Sequence, residues 1–230
     1  MIQAIILLGG RGTRIKELFP DRPKALVPVA GEPFLARQLR WLNRLGIEAI
    51  HLAAGYLAQD IVAWLGQTKP DGQLSYSIEP SPLGTAGGLK FAQNHIRSDP
   101  FLVLNGDTLL PALELTALRT AAGQNGILAA IAVTQIRPAD RYGTIEFDAQ
   151  RRLVAFHEKA EREAAWINGG IYLMSKAILD LLPVDEALSL EKDIFPGLAA
   201  QRQLSVCPTP PPLLDMGTPA GLAAMEQYFR

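Results

Sequence analysis

The chain has 230 residues, 48% of them hydrophobic and 20% charged, and a formal net charge of −1. That length and apolar content support one sizeable core, and the charge balance excludes a protein that coats nucleic acid or an anionic membrane. The single Cys207 excludes an internal disulfide framework and a cysteine metal cluster. The longest apolar stretch, GILAAIAV at 126–133, is far short of the ~20 residues of a membrane helix. No signal-peptide pattern opens the chain, so a cytoplasmic protein without membrane or nucleic-acid partners is expected.

The predicted elements then alternate. An apolar run at 3–8 reads as a buried parallel strand and opens into a loop of Gly9, Gly10, Arg11, Gly12, Thr13 and Arg14. Residues 33–45 carry Leu35, Leu39, Leu42 and Leu45 at helical spacing, with Pro33 near the start and Gly46 as the stop. Residues 47–54 read as a second strand, 57–66 as a short helix, 74–78 as a third strand and 86–96 as a helix. A fourth strand at 101–107 ends in Asp107, and 127–134 is a fifth. Further on, 142–159 resembles a hairpin around the polar turn DAQRR, 168–175 a strand and 176–182 a short helix. Residues 189–201 read as helical with Pro196 interrupting, 204–209 as a strand, and 218–229 as a helix capped by Thr218 with Pro219 first. Strands and helices alternating through short connections predict an α/β fold. Its core is a Rossmann-like, three-layer, mostly parallel sheet with helices on both faces, plus a small β-hairpin excursion.

Ligands of such sheets bind outside the carboxyl ends of the strands. Three unusual segments fall there: the glycine loop, SIEPSPLGTAGG at 77–88 and LNGD at 104–107. The loop lacks the G-x-x-x-x-G-K-[ST] string of a P-loop. It also lacks the third glycine of a dinucleotide fingerprint, and no acid ends the second strand. Glycines that let backbone amides approach oxygens, beside Arg11, Arg14 and Lys24, suit a triphosphate instead. His51, His95 and His157 have no spacing for a shared metal and are read as structural.

LLGGRGTRIKELFPDRPKALVPVAGEPF resembles the signature of the sugar-1-phosphate nucleotidyltransferases, G-G-x-G-T-R followed by P-K-x-x-x-P-V-x-G-x-P. EPSPLGTAGGLK, LNGD, YGTIEF, FHEK, NGGIYLM and DMGTP follow in that family's order. The resemblance implies transfer of a nucleoside monophosphate from a nucleoside triphosphate to a sugar 1-phosphate, with release of pyrophosphate. It further implies one domain, with 1–134 mainly holding nucleotide and 135–230 mainly holding sugar phosphate on the hairpin side. Leu8, Gly9, Gly10, Arg11, Gly12, Thr13, Glu79, Gly84 and Thr85 would then bind the nucleotide. Asn105, Gly143, Glu158, Lys159, Asn168 and Gly169 would bind the sugar phosphate. Arg14, Lys24, Asp107 and Lys159 would be catalytic, and Asp107 with Asp215 would hold one Mg²⁺. Neighbours on a strand alternate between faces, so Glu158 and Lys159 serve one pocket only if the strand ends or bulges there.

Glu79 bears on the choice of base. A carboxylate accepts from both N1–H and N2–H of guanine, whereas uracil and thymine flank one donor with carbonyls that it repels. The argument holds if Glu79 points into the pocket and fails if it faces solvent or caps the next helix. The full set of motifs, SLEKDIFPGL above all, looks most like members that join GTP and D-glycero-α-D-manno-heptose 1-phosphate. It is similar also to mannose 1-phosphate guanylyl-, N-acetylmuramate 1-phosphate uridylyl- and glucose 1-phosphate thymidylyltransferases. A pseudoenzyme that binds without turnover would lack cations or acids, yet Arg14, Lys24, Asp107, Lys159 and Asp215 are all present. A homo-oligomer is compatible with everything above.

Overall fold

The computed structural model describes residues 1–12, 14, 15, 17–137, 139, 143–157, 163–184 and 186–230. In chain order the strands and α-helices are β1 (Ala4–Leu8), β2 (Pro28–Val29), β3 (Glu32–Pro33), α1 (Phe34–Arg44), β4 (Ala49–Ala54), α2 (Ala58–Thr68), β5 (Gln73–Ile78), α3 (Gly84–Phe91), β6 (Phe101–Asn105), β7 (Thr108–Leu109) and α4 (Leu115–Ala122). They continue with β8 (Ala129–Ile136), β9 (Thr144–Phe147), β10 (Leu153–His157), β11 (Ala165–Met174), α5 (Phe195–Ala200), β12 (Leu204–Pro208), β13 (Leu214–Asp215) and α6 (Pro219–Tyr228). Nine strands form one sheet. Along it run β10, β9, β11, β6, β1, β4 and β5, while β8 pairs with β11 and β12.

The expected α/β architecture is present. β1, β4, β5 and β6 are mutually parallel, as are β8 and β12. Period-2 alternation sends Ala4, Ile6 and Leu8 of β1 to one apolar cluster and Ile5 to another. The first cluster takes Leu35 and Leu39 of α1, Ile61 of α2, Leu118 of α4, and Leu222 and Met225 of α6. The second takes Ala86 and Leu89 of α3 and Leu198 of α5. Helices therefore cover both faces, as a sheet apolar on both sides requires.

β11 breaks the parallel pattern. It runs antiparallel to β8 along one edge, while its other edge pairs with β9 at Trp166 and Ile167 and with β6 from Ile171 to Met174. The register with β8 shifts between Asn168 and Tyr172, so a bulge sits where the strand changes partners. The β9–β10 hairpin turns at Asp148, whose Oδ1 accepts the Gln150 and Arg152 N–H groups, and it forms an edge of the central sheet.

Several boundaries carry a visible cause. Gly46, at φ +76°, ends α1 while the Gly46 and Ile47 N–H groups bond the Asn43 and Leu42 carbonyls. Thr218 caps α6 by accepting the Gly221 N–H at 3.1 Å. Pro196 does not interrupt a helix. A π-type turn at Leu190–Ile194 comes first, and Pro196 lies in the opening turn of α5, where a missing N–H leaves no helix bond unmade. α4 has no capping side chain at Glu114 and left no start signal to read. Asp107 stands beyond β6, in the turn before β7.

Candidate active site

Two clefts meet at the carboxyl end of the parallel strands. The first, about 330 Å³, is lined by Leu8, Gly9, Gly10 and Arg11 after β1, by Glu79, Gly84, Thr85 and Gly88 beyond β5, and by Lys24, Asn105 and Asp107. That volume lies in the small-ligand range of roughly 300–1,000 Å³. Gly12, Arg14, Lys24, Asn105, Asp107, Asn168, Gly170, Glu191, Lys192 and Asp215 line the second. Lys24, Asn105 and Asp107 wall both, so occupants of the two clefts would meet beside them.

Glu79 points into the first cleft, lodged in a notch of three glycines. A Cβ added at Gly9 or Gly55 would overlap its carboxylate, and one at Gly88 would come within 3.3 Å of Oε2. Burial raises the Glu79 pKa, and a bond from the Leu83 backbone opposes that shift. The Leu83 N–H, at the N-cap of α3, bonds the carboxylate, so the capping outcome that counted against the base argument is met, while the same carboxylate also lines the first cleft. Gly84 and Thr85 serve that region less directly. Gly84, at φ +71°, and Gly87 are bare because the Leu188 and Glu186 backbones press against them.

The three cations divide between the clefts, Arg11 lining the first, Arg14 the second and Lys24 both. Gly12, at φ +58°, makes room for the Lys24 side chain, whose Cβ is 3.2 Å from where a Cβ of its own would sit. Buried Ile15 anchors the loop after exposed Arg14. Thr13 lies outside the described residues. Lys24 Nζ forms an ion pair with the Asp107 carboxylate at the junction of the clefts. Met216 N–H bonds the Asp107 carbonyl at 3.1 Å, and Asp215 pairs with Thr108 across β13–β7. Two acids distant in the chain thereby reach one cleft. Asp215 Oδ1 also accepts the Gly217 N–H at 2.6 Å.

Two hard carboxylates on one cleft fit a Mg²⁺ whose other positions are filled by water and phosphate oxygens. Among the described residues no group of three or more His, Cys, Asp or Glu side chains could hold a metal. The protein's share of such a site would be those two acids.

Asn168 lines the second cleft, carried there by the β11 bulge. Gly169 does not line it. Its α-hydrogen faces the Leu110 side chain and the Ala132 carbonyl, and Gly170, at φ +70°, forms the wall against Thr108 and Asn105. Both glycines are buried, but they face opposite sides, Gly169 the Leu110–Ala132 packing and Gly170 the Thr108–Asn105 wall of the cleft. Gly143 stands at the head of β9 beside the His157 carbonyl, and His157 pairs with Glu146 at 2.9 Å. Glu158 and Lys159 lie outside the described residues.

Three further residues shape the site, Gln38 outside every motif and Tyr172 and Glu191 inside NGGIYLM and SLEKDIFPGL without a role of their own. Gln38 of α1 is fully buried, and its Nε2 donates to the Asn105 and Thr108 carbonyls at 2.9 and 3.0 Å, bracing the turn that bears Asp107. Tyr172 and Glu191 are bonded to one another at 2.8 Å beneath Asn168.

The model of the nucleotidyl transferase family matches residues 3–229. The chain belongs to that family. Among curated nucleotidyl transferases, D-glycero-α-D-manno-heptose 1-phosphate guanylyltransferase of Campylobacter jejuni is 36% identical over 83% of this chain and 84% of its own. The enzyme of that name from Aneurinibacillus thermoaerophilus is 31% identical over 95% and 94%. The crystal structure of HddC from Yersinia pseudotuberculosis superposes with a TM-score of 0.90 at 30% identity, covering all of both chains. Its complex with GMP-PN gives 0.88 at 29%, again over all of both chains. The expected nucleotidyltransferase fold and enzyme class therefore hold.

Proposed function

We propose that this nucleotidyl transferase transfers GMP from GTP to D-glycero-α-D-manno-heptose 1-phosphate, giving GDP-heptose and pyrophosphate. The observation that carries the choice of base is the Glu79 carboxylate, held in its glycine notch on the wall of the first cleft. Two acceptor oxygens there match the two N–H groups of guanine. The sugar is supported by the names of the two relatives above.

In this reading an oxygen of the sugar phosphate attacks the α-phosphorus. Its new P–O bond forms as the bond to the bridging oxygen breaks, and that electron pair leaves with pyrophosphate. No proton need move, so positioning and charge cancellation carry the catalysis. Arg11 and the bare loop grip the β- and γ-phosphates, while Arg14 reaches them from the second cleft beside Lys24. Lys24, at the junction of the clefts, faces the place where the two anions meet. Asn105 and Asn168 orient the sugar, and by family resemblance Lys159 neutralises its phosphate beside Glu158 and Gly143. Asp107 and Asp215 would hold Mg²⁺, which when bound would supply Lewis-acid stabilisation of phosphoryl oxygens.

Pyrophosphate release tests this directly, crossing GTP, UTP, dTTP, CTP and ATP with heptose, mannose, glucose and N-acetylmuramate 1-phosphates in Mg²⁺ and in EDTA. Release confined to GTP, heptose 1-phosphate and Mg²⁺ is expected. Preference for UTP or dTTP would remove the Glu79 argument, and preference for mannose 1-phosphate would reassign the sugar. No release with any pair would leave a binding protein.

A further inference from the structure

The second cleft rests on a chain of hydrogen bonds whose direction is dictated by a single carboxylate. Glu191 Oε2 accepts the Thr85 and Ser189 hydroxyls at 2.9 and 2.8 Å, and Oε1 accepts the Tyr172 phenol at 2.8 Å. The Thr85 oxygen is itself fixed by the Leu190 N–H at 2.7 Å, so the carboxylate is held from both ends. Tyr172 is fully buried. Burial first, and then the charge of Glu191, pushes its phenol well above its ordinary pKa, which keeps the proton on it.

A carboxylate only accepts, so the phenol must donate to Glu191 and offer its lone pairs to other groups. Asn168 Nδ2 takes one at 2.9 Å, and the Asn105 side chain also bonds this oxygen. Both amides must therefore turn nitrogen toward Tyr172. The Asn168 orientation is fixed a second time by the Gly170 N–H, which donates to its Oδ1 at 2.8 Å. Asn168 is left with one spare N–H donor. Asn105 is left with a buried Oδ1 acceptor that has no hydrogen-bond partner among the described residues. Both asparagines line the second cleft, as does Glu191 itself.

We infer that Glu191 is a positioning residue that, through Tyr172, holds the Asn168 amide with its nitrogen turned to the phenol and thereby selects the hydroxyl pattern accepted by the sugar-phosphate cleft. The inference rests on the reading that this cleft takes the sugar 1-phosphate. Turning the Asn168 amide over would present an acceptor where a donor belongs, with no change in the cleft's shape.

The test is Glu191→Leu, which removes the acceptor of the Tyr172 phenol proton and frees the phenol to donate to an asparagine instead. With the substrate pair that the wild type uses, the KM for sugar 1-phosphate should rise about tenfold or more, because a buried polar group is left unpaired. The KM for nucleotide should rise less, since Thr85 of the first cleft loses its bond to Glu191 but keeps the Leu190 N–H. Tyr172→Phe should act in the same direction, and the double variant should be no worse than the worse single, as members of one chain are non-additive. Equal rises in both KM values, additive losses, or no change in sugar KM would each overturn the inference. Calorimetric titration with heptose 1-phosphate and mannose 1-phosphate reads the same ratio without turnover. Binding without turnover in the wild type would overturn the proposed reaction while the variant-to-wild-type ratio still decides the role of Glu191. No binding of either sugar phosphate would overturn both.

Discussion

At Glu79 one carboxylate occupies space left by three glycines from β1, the end of β4 and α3. Replacing it by Gln keeps the volume but sets an NH₂ against one guanine N–H. For Glu79→Gln, kcat/KM with GTP should fall about 100-fold or more, as buried hydrogen-bonding sites lose when a partner is mismatched. The KM for sugar phosphate should hardly move, and steady-state kinetics with each substrate varied checks both. His51 is a second residue whose state follows from its surroundings. It is fully buried in β4, bonded to Ser75 and Ser77 at 2.9 and 3.0 Å and stacked on His95 at 4.4 Å. Burial, and next the neighbouring His95, lowers its pKa from 6.5 to about 4. Between those values the unfolded chain binds a proton that the folded one refuses. Stability is therefore full above the upper value and drains as pH falls toward the lower. At about pH 4.5 the loss is on the order of 2–3 kcal/mol, or roughly 5–10 °C in Tm for a chain of this size. Thermal melts against pH should show that extra slope in the wild type and lose it in His51→Gln.

At the scale of elements, α3 and the turn before α5 are docked backbone to backbone. Ala86 N–H bonds the Leu188 carbonyl at 2.9 Å, and Leu188 N–H bonds the Leu83 carbonyl at 3.0 Å. The glycines of GTAGG divide between two tasks, Gly84 and Gly87 admitting this turn and Gly88 admitting Glu79. Gly87→Ala would drive a methyl into the Glu186 carbonyl and should cost about 1–3 kcal/mol, measured as a lower urea midpoint with an unchanged m-value. Because the same turn carries Glu191, the KM for sugar phosphate should rise as well. β11 supplies the other device. By changing partners from β9 to β6 at its bulge it places Asn168 and Gly170 on the cleft wall while Tyr172 stays in the core.

Across the whole molecule, residues 1–134 and 135–230 contribute strands to one sheet. β11 lies between β6 and β8, so every residue of 1–134 that pairs with it would lose that partner on its own. A fragment of residues 1–134 should show no cooperative unfolding in urea followed by circular dichroism, whereas the full chain should unfold in one transition. A cooperative fragment would mean that residues 1–134 are a separate folding unit. No helix among the described residues is long and apolar enough to cross a membrane.

Much of this was legible in the sequence because it is local. Apolar runs and helical spacing mark β1, β4, β6 and α1, and Gly46 and Thr218 mark their own stops and starts, since period and capping act within a few residues. The motif string also placed Arg14, Lys24, Asp107 and Asp215 together. What only the tertiary structure decided lies at long range. Gly55 and Gly9 share Glu79, Lys24 meets Asp107, Gln38 braces a turn 67 residues away, and Glu191 binds Thr85 across 106 residues. A bulge in β11 chose Gly170 over Gly169 for the wall. Such pairings follow from the order of strands in the sheet, and strand order is set by burial of both faces at once, a property that no short stretch of chain possesses.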